Sequence, residues 1–132
     1  MVKASPAGRS TAPIFSLGAV LRGVLVSFLT YLVLALVVAT LIYFWGDLEL
    51  QLASLTYGAG LVAALSGGFV AGRQAGHTGW LHGLAGGALF IVLSYYIAVF
   101  LWPVPAAAGI FGRRLLLGAA LGLAGGAVGA NL

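Results

Sequence analysis

The chain has 132 residues, 62% of them hydrophobic and only 6% charged, where a soluble domain carries about a quarter charged positions. Six Lys or Arg and two acidic residues cannot coat a water-facing surface, which needs about 25–35% charge; the composition excludes a soluble globular domain and makes lipid the missing solvent. The absence of cysteine excludes a disulfide scaffold, a thiolate metal site and a cysteine nucleophile, and the net charge of +4 does not signal nucleic-acid binding. Lys3, Arg9, Arg22, Arg73, Arg113 and Arg114 are separated by apolar blocks, whereas phosphate backbones need a contiguous basic face.

Residues 1–21 are expected to form a disordered cytoplasmic tail, because the first eleven carry Lys3, Ser5, Pro6, Gly8, Arg9 and Ser10 without an apolar period. Residues 22–132 then form a four-helix transmembrane domain. The first span is predicted over 23–45, an uncharged run that Arg22 precedes and Tyr43, Phe44 and Trp45 close. At 1.5 Å per residue it reaches about 35 Å, enough to cross a hydrocarbon core of about 30 Å. It is too long for the apolar core of a signal peptide and lacks a small-residue cleavage site. Gly46 to Glu49 make a tight connection holding both acidic residues, Asp47 and Glu49. The second span is expected over 50–72, and Arg73 to Gly79 supply a glycine-rich turn. The third runs over 80–102, with Trp80 and Trp102 at its limits and Pro103 and Pro105 stopping continuation. The fourth covers 115–132, starting after the pair Arg113 and Arg114; at 18 residues it sits at the lower edge of spanning length.

Cations in short loops orient helices, because their translocation is disfavoured. A chain of the cell membrane with both termini in the cytoplasm keeps Lys3, Arg9, Arg22 and Arg73 inside and leaves Arg113 and Arg114 outside, four against two. Inverted or dual topology, and a fourth segment that re-enters without crossing, stay open as alternatives.

Seventeen of the 21 glycines lie from Gly58 onward, so the first span reads as an ordinary Leu/Val helix and the other three as packing helices. Gly60, Ala64, Gly68 and Gly72 recur every four residues, beside a second row of Ala59, Ala63, Gly67 and Ala71. Gly79, Gly83 and Gly87 repeat the spacing, as do Gly118, Gly122 and Gly126. Four-residue spacing puts such positions on one helix face, where missing side chains let two backbones meet. The rows either pair the helices within one subunit, which is preferred, or mediate assembly with further copies or a membrane-protein partner.

Chemistry has few candidates. His77 and His82 are five residues apart, a spacing that does not share a helix face, and a metal site needs three or four ligands. An interfacial hydrogen-bonded role is the preferred reading, with contact of Arg73 and His82 to a lipid headgroup phosphate as the sharper one. Coupled transport usually needs ionisable groups at mid-membrane, and the first three spans hold none. The small multidrug-resistance transporters share the size and span count but carry a glutamate within the first helix, whereas Glu49 lies in a loop. Ser66 has no G-x-S-x-G frame, and Gly83 to Gly87 follow no strand.

The string Gly67-Gly68-Phe69-Val70-Ala71-Gly72-Arg73-Gln74-Ala75-Gly76, followed by Gly79-Trp80-Leu81-His82-Gly83 and by the ending Gly125 to Leu132, resembles a family of small four-span bacterial membrane proteins of unknown function, common in Firmicutes. The resemblance runs from Arg22 to Leu132 and implies an integral membrane protein without transferring a catalytic residue. The expectation is an all-α integral membrane protein, four transmembrane helices packed through glycine-rich faces. It acts as a non-enzymatic helix-packing or accessory subunit that needs no cofactor and contacts the bilayer and a second copy or another membrane protein, but no nucleic acid. The alternative is a small pore or transporter for neutral or anionic solutes.

Overall fold

The computed structural model describes residues 14–103 and 108–132. The first thirteen residues of the expected tail lie outside the described residues, as does Pro105. Every element is helical: α1 spans Leu17–Phe44, α2 Leu52–Ala75, α3 Gly79–Leu101 and α4 Ala108–Asn131. A 3-10 turn over Gly46–Gln51 joins α1 to α2, and another over Gly76–Thr78 joins α2 to α3. Gly76 makes the second turn with φ +59°, in the left-handed region that glycine enters without a Cβ penalty. Among the described residues, three helical runs are long and apolar enough to cross a membrane: Leu17–Phe44, the run Leu52–Leu101 that the Gly76–Thr78 turn divides, and Ala108–Asn131.

Two boundaries depart from the sequence reading. The helical domain begins well before Arg22. Ser16 is the N-cap of α1, its hydroxyl accepting from the Ala19 amide, and Leu17 to Leu21 supply apolar helix formers, so a tail over 1–21 is too long by at least the residues from Ile14. At the other end of the sequence, α4 starts seven residues ahead of the expected Leu115 and carries Arg113 and Arg114 inside it. A charged pair does not end a helix when the stems of the side chains can lie along apolar surface while the heads stay wet.

The helices alternate in direction. Arg22 of α1 donates to Gln74 near the end of α2, while Tyr31, farther along α1, lies by Gly60, earlier in α2. Helices α3 and α4 are likewise antiparallel, with Gly79 beside Ala130 and Gly87 beside Gly118. Helix α2 therefore runs parallel to α4, and Gly68 and Gly72 face Gly122 and Gly126. The start of α1 and the end of α4 share the end of the bundle that holds the Gly76–Thr78 turn.

Close approach is concentrated at that end. A Cβ on Gly68 would collide with the Gly122 carbonyl oxygen and come within 2.7 Å of the Gly122 Cα. One on Gly83 would collide with that same oxygen and lie 2.6 Å from the Gly126 Cα. Three backbones thus meet around Gly122 with no side chain between them, where dispersion and weak Cα–H···O contacts act over short distances. The second row of α2 serves a different neighbour. A Cβ on Gly23 of α1 would lie 2.6 Å from the Gly67 oxygen and 2.7 Å from the Ala71 Cβ, so α1 packs closely too, through Ala19, Gly23 and Ser27. One cluster of the apolar core comprises Ala63, Ala64 and Phe90, with Phe28, Tyr31 and Ile91 against them.

Candidate functional site

Three regions concentrate the chemistry, one at each end of the bundle and one between. At the turn end, His82 in the first turn of α3 is 1% exposed. Its Nε2 accepts from the Ser16 amide at 2.8 Å. A backbone N–H can only donate, so Nε2 carries no proton, and Nδ1–H donates to the Thr78 carbonyl oxygen at 2.8 Å. The Thr78 hydroxyl donates to the Ile14 carbonyl oxygen at 3.2 Å, and the Phe15 ring stacks on the imidazole at 4.9 Å. These contacts tie the entry of α1 to the start of α3. Both ring nitrogens are engaged and the ring is buried, which leaves His82 no edge for a lipid phosphate. Arg73, in the last turn of α2, is exposed, where a cation complements the helix dipole; His77 is exposed in the turn. The alternative that set Arg73 and His82 together on a headgroup meets a histidine whose two ring nitrogens are taken by Ser16 and Thr78.

From the turn inward along the bundle, the residues of the glycine rows fall into contacting and open groups. Gly68, Gly72, Gly79, Gly83, Gly87, Gly118, Gly122 and Gly126 all lie where an added Cβ would strike a neighbouring helix, and Ala64 is fully buried. Gly60 is different, its nearest neighbour being Tyr31 Cε2 at 3.9 Å. Three contacting glycines belong to none of these rows: Gly23 meets Gly67 and Ala71, Gly125 meets Leu65 and Phe69, and Gly129 meets Phe69 and Arg73. Ser27 fills the space that a Cβ on Gly67 would need, and its hydroxyl is buried without a hydrogen-bond partner.

At the far end the helices splay around a cavity of about 610 Å³, within the range of small-molecule sites. All four helices line it, through Tyr31 of α1, Tyr57 and Gly60 of α2, Phe90 and Tyr95 of α3, and Arg114 of α4, among others. Aromatic rings hold it open: Phe28 and Tyr31 stand edge-on to Phe90, and Tyr95 packs on Phe111 with centroids 4.3 Å apart. The Arg114 guanidinium lies 5.4 Å from the centre of the Tyr57 ring, a cation–π distance. A second, shallower pocket shares Tyr57, Ile110 and Arg114 with the first and adds Arg113. Sequence reasoning missed this site, although the arginine pair beside an aromatic-rich stretch was visible. Among the described residues, no group of three or more His, Asp or Glu could hold a metal ion.

Residues 16–129 match the family described as Protein of unknown function (DUF3792), and the chain belongs to that family. No curated protein and no solved structure matches it.

Proposed function

We propose that this DUF3792 member is a four-span protein of the bacterial cytoplasmic membrane, with both termini inside, that works as a non-enzymatic accessory subunit through binding and packing. The observation that carries the reading is the junction at Gly122, where α2, α3 and α4 meet backbone to backbone. Lipid gives helices no hydrophobic reason to associate, so a chain that spends its glycines on such contacts is built as a preformed helical block. The division of the run Leu52–Leu101 by the Gly76–Thr78 turn supports two passes there and hence four in all. The common end of the first and last helices supports termini on one side. The outward face of α1, with Leu25, Leu29, Leu32 and Leu36 exposed, faces lipid, a second copy or another membrane protein.

The pore reading is favoured only by the cavity with Arg114 at its side. Phe90 lines its inner end, with buried Ala63 and Ala64 in the same cluster behind it, which suits a blind pocket better than a path. Reporter fusions at Met1, Gly46, Gln74 and Leu132 test the topology; reporters at Met1, Gln74 and Leu132 are expected inside and that at Gly46 outside. In proteoliposomes, small ions and polar solutes are expected not to pass. Sustained flux that Gly60→Leu abolishes would establish the pore and end the accessory reading.

A further inference from the structure

Among the described residues the cavity has one cation, Arg114, and an apolar body, with no obvious use in helix packing. Two of its hydroxyls are committed elsewhere: Ser94 donates to the Phe90 carbonyl oxygen at 2.7 Å, and Thr56 to the Leu52 carbonyl oxygen at 2.7 Å. Side chains that bond back to their own helix offer no donors to a polar solute, which leaves the phenols of Tyr31, Tyr57 and Tyr95 as the remaining hydroxyls on a mainly apolar wall. Along α3 the lining runs from Phe90 to Ala98, eight helical rises and about 12 Å of depth at 1.5 Å per residue. The parallel register of α2 and α4, with Gly68 facing Gly122 and Gly72 facing Gly126, puts the Arg114 backbone level with Gly60. The guanidinium nonetheless sits over Tyr57, almost a turn farther toward the splayed end, and Arg113 lines the adjoining shallow pocket. A long apolar chamber therefore opens beneath a pair of arginines lifted toward its mouth.

Charge inside a helix of this kind is costly in lipid and persists where it has a partner. On the topology proposed above, Arg113 and Arg114 are also the cations on the disfavoured side of the membrane. Binding an anion at the mouth would explain both.

We propose that this cavity is a binding site for an anionic phospholipid of the surrounding bilayer, one acyl chain lying in the chamber between Tyr31, Gly60 and Phe90 and the headgroup phosphate held by Arg114 and Arg113. The inference rests on the accessory reading only for the side of the membrane from which the lipid comes. Arg114 supplies a planar set of donors that grips a phosphate through two oxygens. The apolar chamber supplies the part of the binding that a free anion cannot use. Phosphatidylglycerol, phosphatidylcholine and inorganic phosphate separate these contributions.

The test uses the full chain, delipidated in a neutral detergent, with lipid binding followed by native mass spectrometry and by thermal shift. Phosphatidylglycerol is expected to bind at least tenfold more tightly than phosphatidylcholine, and inorganic phosphate to give no shift at equal concentration. Arg114→Gln should lower the phosphatidylglycerol affinity about tenfold and erase the preference over phosphatidylcholine. Gly60→Leu, at a position with room for a side chain, should weaken both lipids while the helical content and elution volume of the protein stay unchanged. Equal affinity for the two phospholipids, a shift produced by phosphate alone, or full binding by Gly60→Leu would each overturn the proposal. Should Arg114→Gln not fold, Arg114→Lys answers the same question through loss of part of the preference. None of these readings depends on subunit partnership or flux, so failure here leaves the accessory role standing, and failure of that role leaves the lipid preference to be measured.

Discussion

The two ends of the bundle are built on opposite rules from similar sequence. At the turn end, Gly68, Gly83 and Gly122 bring three backbones together. Two helical turns away along α2, Gly60 sits on the same face and meets nothing closer than the edge of the Tyr31 ring. Glycine permits close approach, but the opposing surface decides whether it happens. Gly68 faces another glycine, whereas around Gly60 the rings of Tyr31, Tyr57 and Phe90 wedge the helices apart. The turn end owes its stability to contact, and the splayed end keeps a chamber.

The sharpest way to break this contrast is Gly122→Leu set beside Gly60→Leu. The first forces a branched side chain into the three-helix junction and should cost about 3 kcal/mol or more by the overpacking argument, with Gly68→Leu doing the same. The second should leave the melting temperature in detergent nearly unchanged. Size exclusion read alongside tells what kind of contact was lost: disappearance of the folded monomer marks packing within the subunit, and a stable monomer replacing an oligomer marks an assembly face. Tolerance of leucine at both Gly68 and Gly122 would dissolve the contrast.

His82→Ala comes next, because it strips the Ser16 amide of its acceptor and the Thr78 carbonyl of its donor. An unmade buried hydrogen bond costs about 1–3 kcal/mol. Amide exchange should rise first at Ser16 and Ala19, and unchanged exchange there would show that the clasp is not holding α1. Ser27→Ala is smaller and of opposite sign. The hydroxyl is buried without a partner, and removing it should leave stability level or raise it by about 1 kcal/mol; a drop in melting temperature would assign that oxygen a contact with Gly67. Leu36→Ile on the exposed face of α1 should stay within about 0.5 kcal/mol, as surface exchanges do, unless that face is covered by a partner.

Much of the helical layout was legible because apolar run length and glycine punctuation act locally. Helices α2 and α3 begin and end within three residues of the positions expected. What could not be read was which face meets which. The row Ala59, Ala63, Gly67, Ala71 looked auxiliary, yet it receives α1 at Gly23 and Ser27; the spacing of Ala19, Gly23 and Ser27 carried that signal, diluted by leucine and valine all around it. The cavity was hidden for a related reason. It is an absence of contact, created by the size of side chains on four different helices, and no periodicity within one helix encodes it. The partners of His82 could not be named from the sequence, because Phe15 and Ser16 lie 66 or more residues away in a stretch read as tail.

That clasp has a bearing on how the protein is made. The amide of Ser16 and its acceptor on His82 are separated by 66 residues, so when a growing chain threads out of the ribosome the first helix exists long before the third. Until α3 is inserted, the opening turn of α1 has a donor without an acceptor and an aromatic ring, Phe15, without its stacking partner. Domains otherwise tend to order from their N-terminal side as synthesis proceeds; here the earliest residues of α1 must wait for the later hairpin to lock them. Chains halted after α2 should therefore show fast amide exchange at Ser16 that slows only once residues 79–82 have entered the membrane, and protection already complete in the halted chain would contradict that order.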